Sequence, residues 1–326
     1  MQYDVLTSGY VSLDRIIRVK TPLKTGFTSL IENSDNAKIN YGGCPVNIAF
    51  LLARMGNKAL PLIRVGEDEE ETGLMAFLAG GGVCTESIEV VKGETTSNCY
   101  LIADTENNHI TIFYPGAMDK KYAVPMPDGF FENTRMGVLT VGSYEDNLEF
   151  FRKCKKYKVP LVFGMKCDLE AFPKDFFKEV LKESHIIFCN EAERGEIEDA
   201  LNLKSITELF GTGKTEIIIT TLGKKGCIFY HKARGGMDTG SVAAAEFGKV
   251  VDTTGSGDAF MAGFIHGYLQ RKSLRECCCM GSVMASFIIE KVGCLTNAPS
   301  KQAFIERYKQ FMRQESIESS NKDRLQ

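Results

Sequence analysis

The alternation of apolar and polar segments along the chain predicts an α/β fold. Short apolar segments of strand length occupy residues 136–141, 160–164, 185–189 and 216–221. Amphipathic segments of helical length fill the intervals, over residues 147–157, 173–181, 191–201 and 205–210. Strands that alternate with helices in this way form parallel sheets covered by helices on both faces. The pattern therefore predicts an αβα sandwich with a mostly parallel central sheet.

Flanking segments complete this main domain. In the N-terminal part the pattern predicts strands at residues 3–10 and 60–65 and helices at residues 47–55 and 73–79. Towards the C-terminus it predicts a hairpin region at residues 226–252, a helix from Gly257 onward, and helices at residues 273–289 and 302–312. Residues 313–326 are polar and predict a frayed, disordered tail.

Two β-rich segments interrupt the α/β pattern in the first third of the chain. They span residues 13–42 and 93–118, and the second contains Asn107-Asn108, a pair typical of a hairpin turn. We expect them to pair as a small β-sheet lid over one edge of the main domain. That domain then comprises residues 1–12, 43–92 and 119–312. Substrate pockets of α/β sheets tend to lie at such edges.

The charge balance argues against some classes of partner. The 326 residues include 39 Lys and Arg against 42 Asp and Glu, a formal net charge of −3. A near-neutral balance disfavours a broad basic surface for nucleic acid or for an anionic membrane. The longest apolar stretches, such as residues 283–289, are far shorter than the roughly 20 residues that span a bilayer. Because the first residues also lack a signal-peptide pattern, the sequence predicts a cytoplasmic protein that binds neither nucleic acid nor membrane.

Eleven cysteines are scattered along the chain, apart from a triplet at residues 277–279. No two of them have the C-x-x-C spacing of a zinc or redox site, and only four histidines accompany them. Without a secretory signal, we expect reduced thiols that serve mostly as small core residues. The role of the triplet stays open.

Residues 250–260 carry the strongest chemical signal in the chain. Apolar residues lead into the turn Gly255-Ser256-Gly257, after which a helical pattern begins. Glycines without Cβ atoms let successive backbone amides surround an anion, and the helix dipole adds partial positive charge there. Asp258, in the first helical turn, is placed to accept a proton from a hydroxyl that attacks phosphorus. Taken alone, the segment also fits an ordinary turn before an Asp-capped helix.

A second glycine turn precedes the buried helix at residues 47–55. Gly42 and Gly43 stand a few residues before Asn47. Glycines let the backbone approach a sugar closely, and an asparagine amide can bridge neighbouring hydroxyls as donor and acceptor. Taken alone, this segment too is an ordinary glycine turn.

Both segments resemble signatures of the ribokinase-like (PfkB) carbohydrate kinase family. Residues 252–258 read D-T-T-G-S-G-D, which matches the family's D-T-x-G-A/S-G-D. Residues 41–56 match its first signature, although Cys44-Pro45 stands where the family more often has small residues. Shorter matches follow the family's order at residues 9–14, 113–118, 190–193 and 221–226. The resemblance thus covers nearly the whole chain except the tail.

This resemblance implies both a fold and an activity. The fold is a Rossmann-like αβα sandwich with a mostly parallel central sheet and a small β-sheet lid. The activity is the transfer of the γ-phosphoryl group of ATP, with Mg²⁺, to a hydroxymethyl group of a sugar or nucleoside. Asp258 matches the catalytic base, and Gly255, Ser256 and Gly257 match the anion hole.

Other residues match the family's binding positions. The residues that match positions for the acceptor hydroxyls are Asp14, Gly42, Gly43 and Asn47. Those for the nucleotide are Asn190, Thr221, Gly223, Gly226 and Gly257. Glu193 matches a position that organises Mg²⁺ through water. Asp252 and Thr254 match a site for a monovalent cation such as K⁺, which some members of the family bind.

The identity of the acceptor stays open at this stage. Residues 113–118 look closer to the adenosine and nucleoside kinases than to the fructose kinases, while ribose, fructose and ketodeoxy sugars are further candidates. The alternative function is a non-catalytic sensor that keeps the sugar or nucleoside pocket. A nicotinamide-dependent oxidoreductase is disfavoured, because no G-x-G-x-x-G follows the first strand. The exposed sheet surface and edges of a lid also favour a homodimer formed through the lid.

Overall fold

Residues 2–106, 108–166, 168–233 and 235–323 are described by a computed structural model of the chain. Their strands are β1 (Val5–Ser8), β2 (Ser12–Arg18), β3 (Asn40–Gly42), β4 (Ala59–Leu62), β5 (Arg64–Val65), β6 (Glu89–Val90), β7 (Asn98–Ala103), β8 (His109–Tyr114), β9 (Gly137–Leu139), β10 (Leu161–Gly164), β11 (Ile186–Asn190), β12 (Ile217–Thr221), β13 (Cys227–Ala233) and β14 (Gly236–Val242). Their helices are α1 (Cys44–Arg54), α2 (Glu69–Thr72), α3 (Leu74–Gly80), α4 (Asp128–Phe131), α5 (Tyr144–Tyr157), α6 (Lys174–Glu183), α7 (Glu191–Leu201), α8 (Leu209–Thr212), α9 (Ser256–Leu269), α10 (Leu274–Ile288) and α11 (Lys301–Asp323). Across the described ranges, none of the helices combines the length and the apolar character needed to cross a membrane.

The central sheet is mostly parallel, as the sequence pattern predicts. Its strands lie in the order β14-β13-β12-β11-β10-β9-β1-β4. The strands from β12 to β4 run parallel, and β13 and β14 add an antiparallel hairpin at one edge. From β1 the chain crosses to β4 on one side and later returns to β9 on the other. The carboxyl ends of β1 and β9 therefore flank the crevice at which sheets of this kind bind ligands.

Helices cover both faces of this sheet, because successive strand residues point to opposite sides. Val138 and Val162 belong to the apolar cluster that also contains residues of α1, α9 and α10. Their neighbours Leu139 and Phe163 belong to the cluster on the other face, with residues of α5, α6 and α7. The cysteine triplet at residues 277–279 is fully buried in the first cluster, in keeping with the predicted use of thiols as small core residues.

The lid is a second, four-stranded sheet with the strand order β3-β2-β7-β8. Strand β2 is parallel to β7 and antiparallel to β3, and β8 is antiparallel to β7. Residues that lie opposite one another form a row across all four strands, Asn40, Asp14, Cys99 and Phe113. The prediction of a small sheet from the two β-rich segments is confirmed. The turn predicted at Asn107-Asn108 joins β7 to β8, and Asn107 itself lies outside the described residues.

One predicted strand is wrong in its extent. The apolar residues 60–65 do not form a single strand, because β4 ends at Leu62 and β5 leaves the central sheet. Strand β5 pairs instead with β6 in a separate two-stranded sheet. The buried ion pair of Arg64, described below, holds the chain in this new direction.

The predicted disordered tail, residues 313–326, begins inside the last helix of the described chain. Helix α11 continues through residue 313 to Asp323. Phe311 is buried on this helix, and the carboxylate of Glu315 forms an ion pair with Arg275 of α10. The Glu315 ion pair attaches the start of the polar C-terminal segment to α10.

A buried ion pair ties the lid to the main domain. The guanidinium of Arg64 binds the carboxylate of Asp146 in a bidentate manner, with N–O distances of 2.7 and 2.8 Å. Arg64 Nε also donates to the Ala117 carbonyl at 2.9 Å, and the Ser143 hydroxyl donates to Asp146 Oδ2 at 2.6 Å. Ala117 lies just after β8, so the pair joins the exit of the lid to α5.

We expect Arg64→Met to lower the free energy of unfolding by about 3–5 kcal/mol, because it leaves the Asp146 carboxylate buried without an opposite charge. The measurement is urea denaturation at neutral pH. The double variant Arg64→Met/Asp146→Leu should recover most of the loss, since no unpaired charge then stays buried. A matched control is Arg135→Met, whose ion pair with Asp4 is exposed and should cost no more than about 1 kcal/mol. An equal loss in both single variants would contradict this account of the buried pair.

Candidate active site

A cleft lies at the carboxyl ends of β9, β10, β11 and β12, beside the N-terminus of α9. It contains a cavity of about 190 Å³. Its lining residues are Cys44, Thr140, Gly164, Met165, Lys166, Phe188, Cys189, Asn190, Glu193, Thr221, Gly255, Gly257, Asp258 and Met261. The fold thus brings three separate sequence motifs, at residues 190–193, 221–226 and 252–258, to one place.

The predicted anion hole lies at the N-terminus of α9. Gly255 caps this helix with φ 77°, a left-handed conformation that favours glycine, and an added Cβ would lie 2.8 Å from the Cβ of Cys294. The Ser256 amide donates to the Thr253 carbonyl at 3.1 Å. The amides of Gly255 and Gly257 have no acceptor among the residues that the structure describes. These two amides and the helix dipole are therefore the features that can hold a phosphate.

Asp258 lies in the first turn of α9 and is buried against the start of α1, which Gly43 caps. Asn47 Nδ2 donates to Asp258 Oδ2 at 2.8 Å, and the Cys44 side chain also hydrogen-bonds to this carboxylate. Burial raises the pKa of Asp258, while the two hydrogen bonds and the positive charge of Lys166 act in the opposite direction. A carboxylate whose pKa is raised accepts a proton more readily, as a general base requires.

Asp14 reaches the same site from the lid strand β2. Its carboxylate fills the space that a Cβ at residue 42 would need, with Asp14 Cγ only 3.0 Å from that point, so any larger residue at position 42 would displace Asp14. Burial raises the pKa of Asp14 to about 6, and a hydrogen bond from Ser12 partly offsets this effect. Asp14 Oδ1 and Asn47 Oδ1 are buried without a hydrogen-bond partner in the described part of the chain. Two acceptors that lack donors suit the hydroxyl groups of a sugar.

Asn190 and Glu193 form a capping box at the start of α7. The backbone N–H of Glu193 donates to Asn190 Oδ1 at 2.9 Å, and the backbone N–H of Asn190 donates to Glu193 Oε2 at 2.8 Å. Glu193 Oε1 makes no hydrogen bond within the described ranges and belongs to the cleft wall. Burial raises the pKa of Glu193. The capping box accounts for the N-x-x-E spacing and still leaves one carboxylate oxygen for a ligand.

That oxygen fits a hydrated Mg²⁺ better than a directly bound one. In the part of the chain that the structure describes, no three His, Cys, Asp or Glu side chains come together as a set of metal ligands. Mg²⁺ at nucleotide sites keeps several waters and is bound by one or two carboxylates together with the phosphates. Glu193 is therefore the residue that would hold Mg²⁺, through water, beside the phosphates.

The other predicted nucleotide residues lie at and beyond the end of β12. Thr221 is the last residue of this strand and lies opposite Asn190 of β11. Gly223 begins the short 3-10 turn that follows, where an added Cβ would meet nothing within 4 Å. Gly226 ends the turn, and a Cβ added there would clash with the Val242 carbonyl oxygen. The structure thus places Thr221 in the cleft wall, while Gly226 shapes the turn behind it.

Asp252 and Thr254, the predicted cation residues, brace the loop before α9. Asp252 Oδ1 accepts from the Thr254 amide at 2.9 Å and from the Thr254 hydroxyl at 2.7 Å. Asp252 Oδ2 accepts from the Gly293 amide at 3.1 Å. This carboxylate therefore connects the loop at the anion hole to the segment that follows α10.

Comparison with known proteins matches the sequence to one family. Residues 4–301 match the model of the family described as pfkB family carbohydrate kinase. The chain belongs to the pfkB family of carbohydrate kinases. The predictions of a ribokinase-like fold and of a kinase that phosphorylates an alcohol group are confirmed. The family favours this activity over a non-catalytic sensor.

Individual relatives of this pfkB family kinase agree in fold. A nucleoside kinase of Methanocaldococcus jannaschii is 29% identical over 300 residues, which cover 92% of this chain and 94% of that protein. A ribokinase of Haemophilus influenzae is 24% identical over 314 residues, which cover 94% and 98%. The crystal structure of the M. jannaschii nucleoside kinase, an archaeal member of the ribokinase family, superposes with a TM-score of 0.83 and 26% identity, covering 95% of this chain and 99% of that one.

Two cleft residues of this kinase are missed by sequence reasoning. Cys44 is noticed only as a departure from the first signature, yet its side chain contacts Asp258. Lys166 gives no motif, and it reaches the cleft because it follows β10 by two residues. The available signal was a basic residue just after the carboxyl end of a predicted parallel strand, where ligand-binding side chains concentrate.

The raised pKa of Asp14 leads to a stability prediction. Because the folded-state pKa of about 6 lies above the unfolded value, the charged carboxylate opposes folding above pH 6. Asp14→Asn should therefore raise the free energy of unfolding at pH 8, by at most about 3 kcal/mol. The gain should shrink as the pH falls from about 6 to 4, where wild-type Asp14 becomes protonated. Urea denaturation at pH 8 and at pH 4.5 tests this, and a variant less stable than wild type at pH 8 would contradict it.

Proposed function

We propose that this kinase phosphorylates a nucleoside, moving the γ-phosphoryl group of ATP to the hydroxymethyl group of its sugar. The observation that carries the proposal is an apolar surface directly beside Asp14, on the cleft side of the lid. A free pentose would use Asp14 and leave this surface exposed to water. A nucleoside would use Asp14 for its ribose and cover the surface with its base.

This apolar surface follows from the register of the lid strands. Asp14 lies opposite Cys99, which lies opposite Phe113, so all three side chains share one face. Ile16 and Leu101 lie opposite each other two residues further along the same face. The Phe113 ring is 36% exposed and lies 4.9 Å, between centroids, from the ring of Tyr10. A half-exposed aromatic ring next to aliphatic side chains is a suitable platform for a purine or pyrimidine.

Relatives point in the same direction but leave a second candidate. The M. jannaschii protein is named a nucleoside kinase and the H. influenzae protein a ribokinase. Both names are compatible with the polar part of the site, where Asp14 and Asn47 each offer an unpaired oxygen. Ribose is therefore the second acceptor to test.

The reaction follows from the positions of the polar groups. Asp14 and Asn47 bind the ribose hydroxyls and direct the hydroxymethyl group at Asp258. Asp258 accepts the proton of this hydroxyl as its oxygen forms a bond to the γ-phosphorus, and the bond to the bridging oxygen of ADP breaks. The amides of Gly255 and Gly257 hold the γ-phosphoryl oxygens, whose charge is stabilised by these fixed dipoles. The hydrogen bond from Asn47 keeps the Asp258 carboxylate in place before the proton moves.

The nucleotide side is assigned in the same way. Asn190, Thr221, Gly223 and Gly226 border the nucleotide, and Glu193 binds hydrated Mg²⁺, which neutralises phosphate charge when bound. K⁺ at Asp252 and Thr254 stays a prediction, and activity measured in KCl against tetramethylammonium chloride tests it. A cytoplasmic location stays a prediction as well.

The substrate assignment is tested by an ADP-release assay over nucleosides, ribose, fructose and ketodeoxy sugars. We expect nucleosides to give the highest kcat/KM. Phe113→Ala should lower kcat/KM for the best nucleoside by roughly 10-fold, through KM, because it removes the aromatic platform. The same variant should leave kcat/KM for ribose within about 2-fold, since ribose does not reach this ring.

Two further variants complete the acceptor assay. Ile112→Ala removes an apolar side chain from the same strand but the opposite face, and it should affect neither acceptor. Asp258→Asn should lower turnover of every acceptor at least about 100-fold, as expected for loss of a general base. Equal effects of Phe113→Ala on nucleosides and ribose would contradict the nucleoside assignment, whereas full activity of Asp258→Asn would contradict its role as base.

The outer face of the lid supports the proposal of a homodimer. Ile110, Ile112 and Tyr114 alternate on the face opposite Phe113 and are 47%, 54% and 48% exposed. Apolar side chains on an open sheet suit burial against a second copy of the same sheet. Light scattering should therefore give the mass of a dimer for wild type and of a monomer for Ile110→Lys/Ile112→Lys. A monomeric wild type would remove this proposal.

A further inference from the structure

The cleft contains one positive charge among acidic groups. Lys166 follows β10 by two residues and lines the cleft together with Gly257, Asp258 and Glu193. Of the described residues that line this cleft, it alone is basic. It takes part in none of the ion pairs that occur between described residues.

The charge of Lys166 acts on both sides of the site. It partly offsets the rise in pKa that burial causes at Asp14 and Asp258 on the acceptor side and at Glu193 on the nucleotide side. Lys166 follows β10, which lies between β9 and β11 in the sheet, so it enters the cleft beside Asp258 and Glu193. The proposed reaction moves a phosphoryl group from the nucleotide to the acceptor within this cleft.

The other groups proposed to bind the phosphate bring no positive side-chain charge to this region. The amides of Gly255 and Gly257 are neutral dipoles at one side of the phosphate, at the start of α9. Asp258 and Glu193 bring negative charge close to an already anionic group. A cation in the same cleft, at the end of β10, offsets that repulsion.

We infer that Lys166 is a catalytic residue that donates hydrogen bonds to the γ-phosphoryl oxygens as the group moves from ADP to the acceptor. The inference rests on the proposed kinase site and adds the cation that the site's motifs do not supply. The ammonium keeps its proton throughout. The acceptor oxygen gains the bond to phosphorus, the electron pair of the broken bond stays on the ADP oxygen, and the acceptor proton goes to Asp258.

The test compares Lys166→Met and Lys166→Arg with wild type. Lys166→Met should lower kcat by roughly 10- to 100-fold, while the acceptor KM changes by less than about 3-fold. Lys166→Arg should recover part of the lost kcat, because the guanidinium restores the charge with another geometry. Lys309→Met is the matched control, since Lys309 is exposed on α11 far from the cleft residues in sequence, and it should behave as wild type.

A binding measurement separates this inference from the proposed function. Calorimetry with adenylyl imidodiphosphate and with ADP, both with Mg²⁺, needs no acceptor. If Lys166 contacts the γ-phosphoryl group, Lys166→Met should raise the Kd of the triphosphate analogue by roughly 10-fold and the Kd of ADP by less than about 2-fold. If Lys166 had a purely structural role, the Kd values of both ligands would rise equally.

The outcomes are distinct. Loss of kcat and of triphosphate preference in Lys166→Met supports the inference. Wild-type kcat in Lys166→Met, or equal weakening of both nucleotides, overturns it while leaving the kinase assignment intact. If wild type turns over none of the acceptors, the proposed function fails, and the calorimetric comparison still decides whether Lys166 contacts the γ-phosphate.

Discussion

The proposed site depends on one carboxylate that is buried and yet held by hydrogen bonds from other side chains. Asp258 is almost fully enclosed where α9 meets α1, and burial alone would favour its protonated form. The Asn47 amide, 211 residues away in the sequence, donates to it at 2.8 Å, and Cys44 adds a second hydrogen bond. This contact fixes the relative positions of the two glycine turns. The proposed anion hole and the proposed acceptor pocket therefore share one wall.

Backbone geometry provides much of the rest. The crevice arises because the chain moves from β1 to opposite sides of the sheet, which leaves the strand ends there uncovered by a crossing connection. Gly42 makes room for the Asp14 carboxylate, and Gly255 adopts a left-handed conformation at the start of α9. Side chains then add the charge: Asp14 from the lid, and Glu193 and Lys166 from neighbouring strand ends.

Periodicity and motifs predicted the sheet, the lid and the motif residues of the cleft, because local patterns determine these features. They failed where a distant contact decides the local structure. The break after Leu62 reflects the partner of Arg64, and the helix at the start of the polar C-terminal segment reflects the ion pair of Glu315. Lys166 was missed for a related reason: it belongs to no motif, and only the arrangement of neighbouring strands shows what it faces.

The parallel pairing of β2 with β7 has a consequence for the order of folding. It joins residues 12–18 to residues 98–103, so the lid cannot form until α1 to α3 and the strands between them have brought these segments together. Such a long loop closure is slow compared with the local βα units of the main domain. On a ribosome, the first β-rich segment would therefore wait, with Asp14 exposed and unpaired, for the second to emerge. The lid, which is proposed to recognise the acceptor, is therefore expected to form late. Asp258 and the glycine turn beside it are synthesised later still.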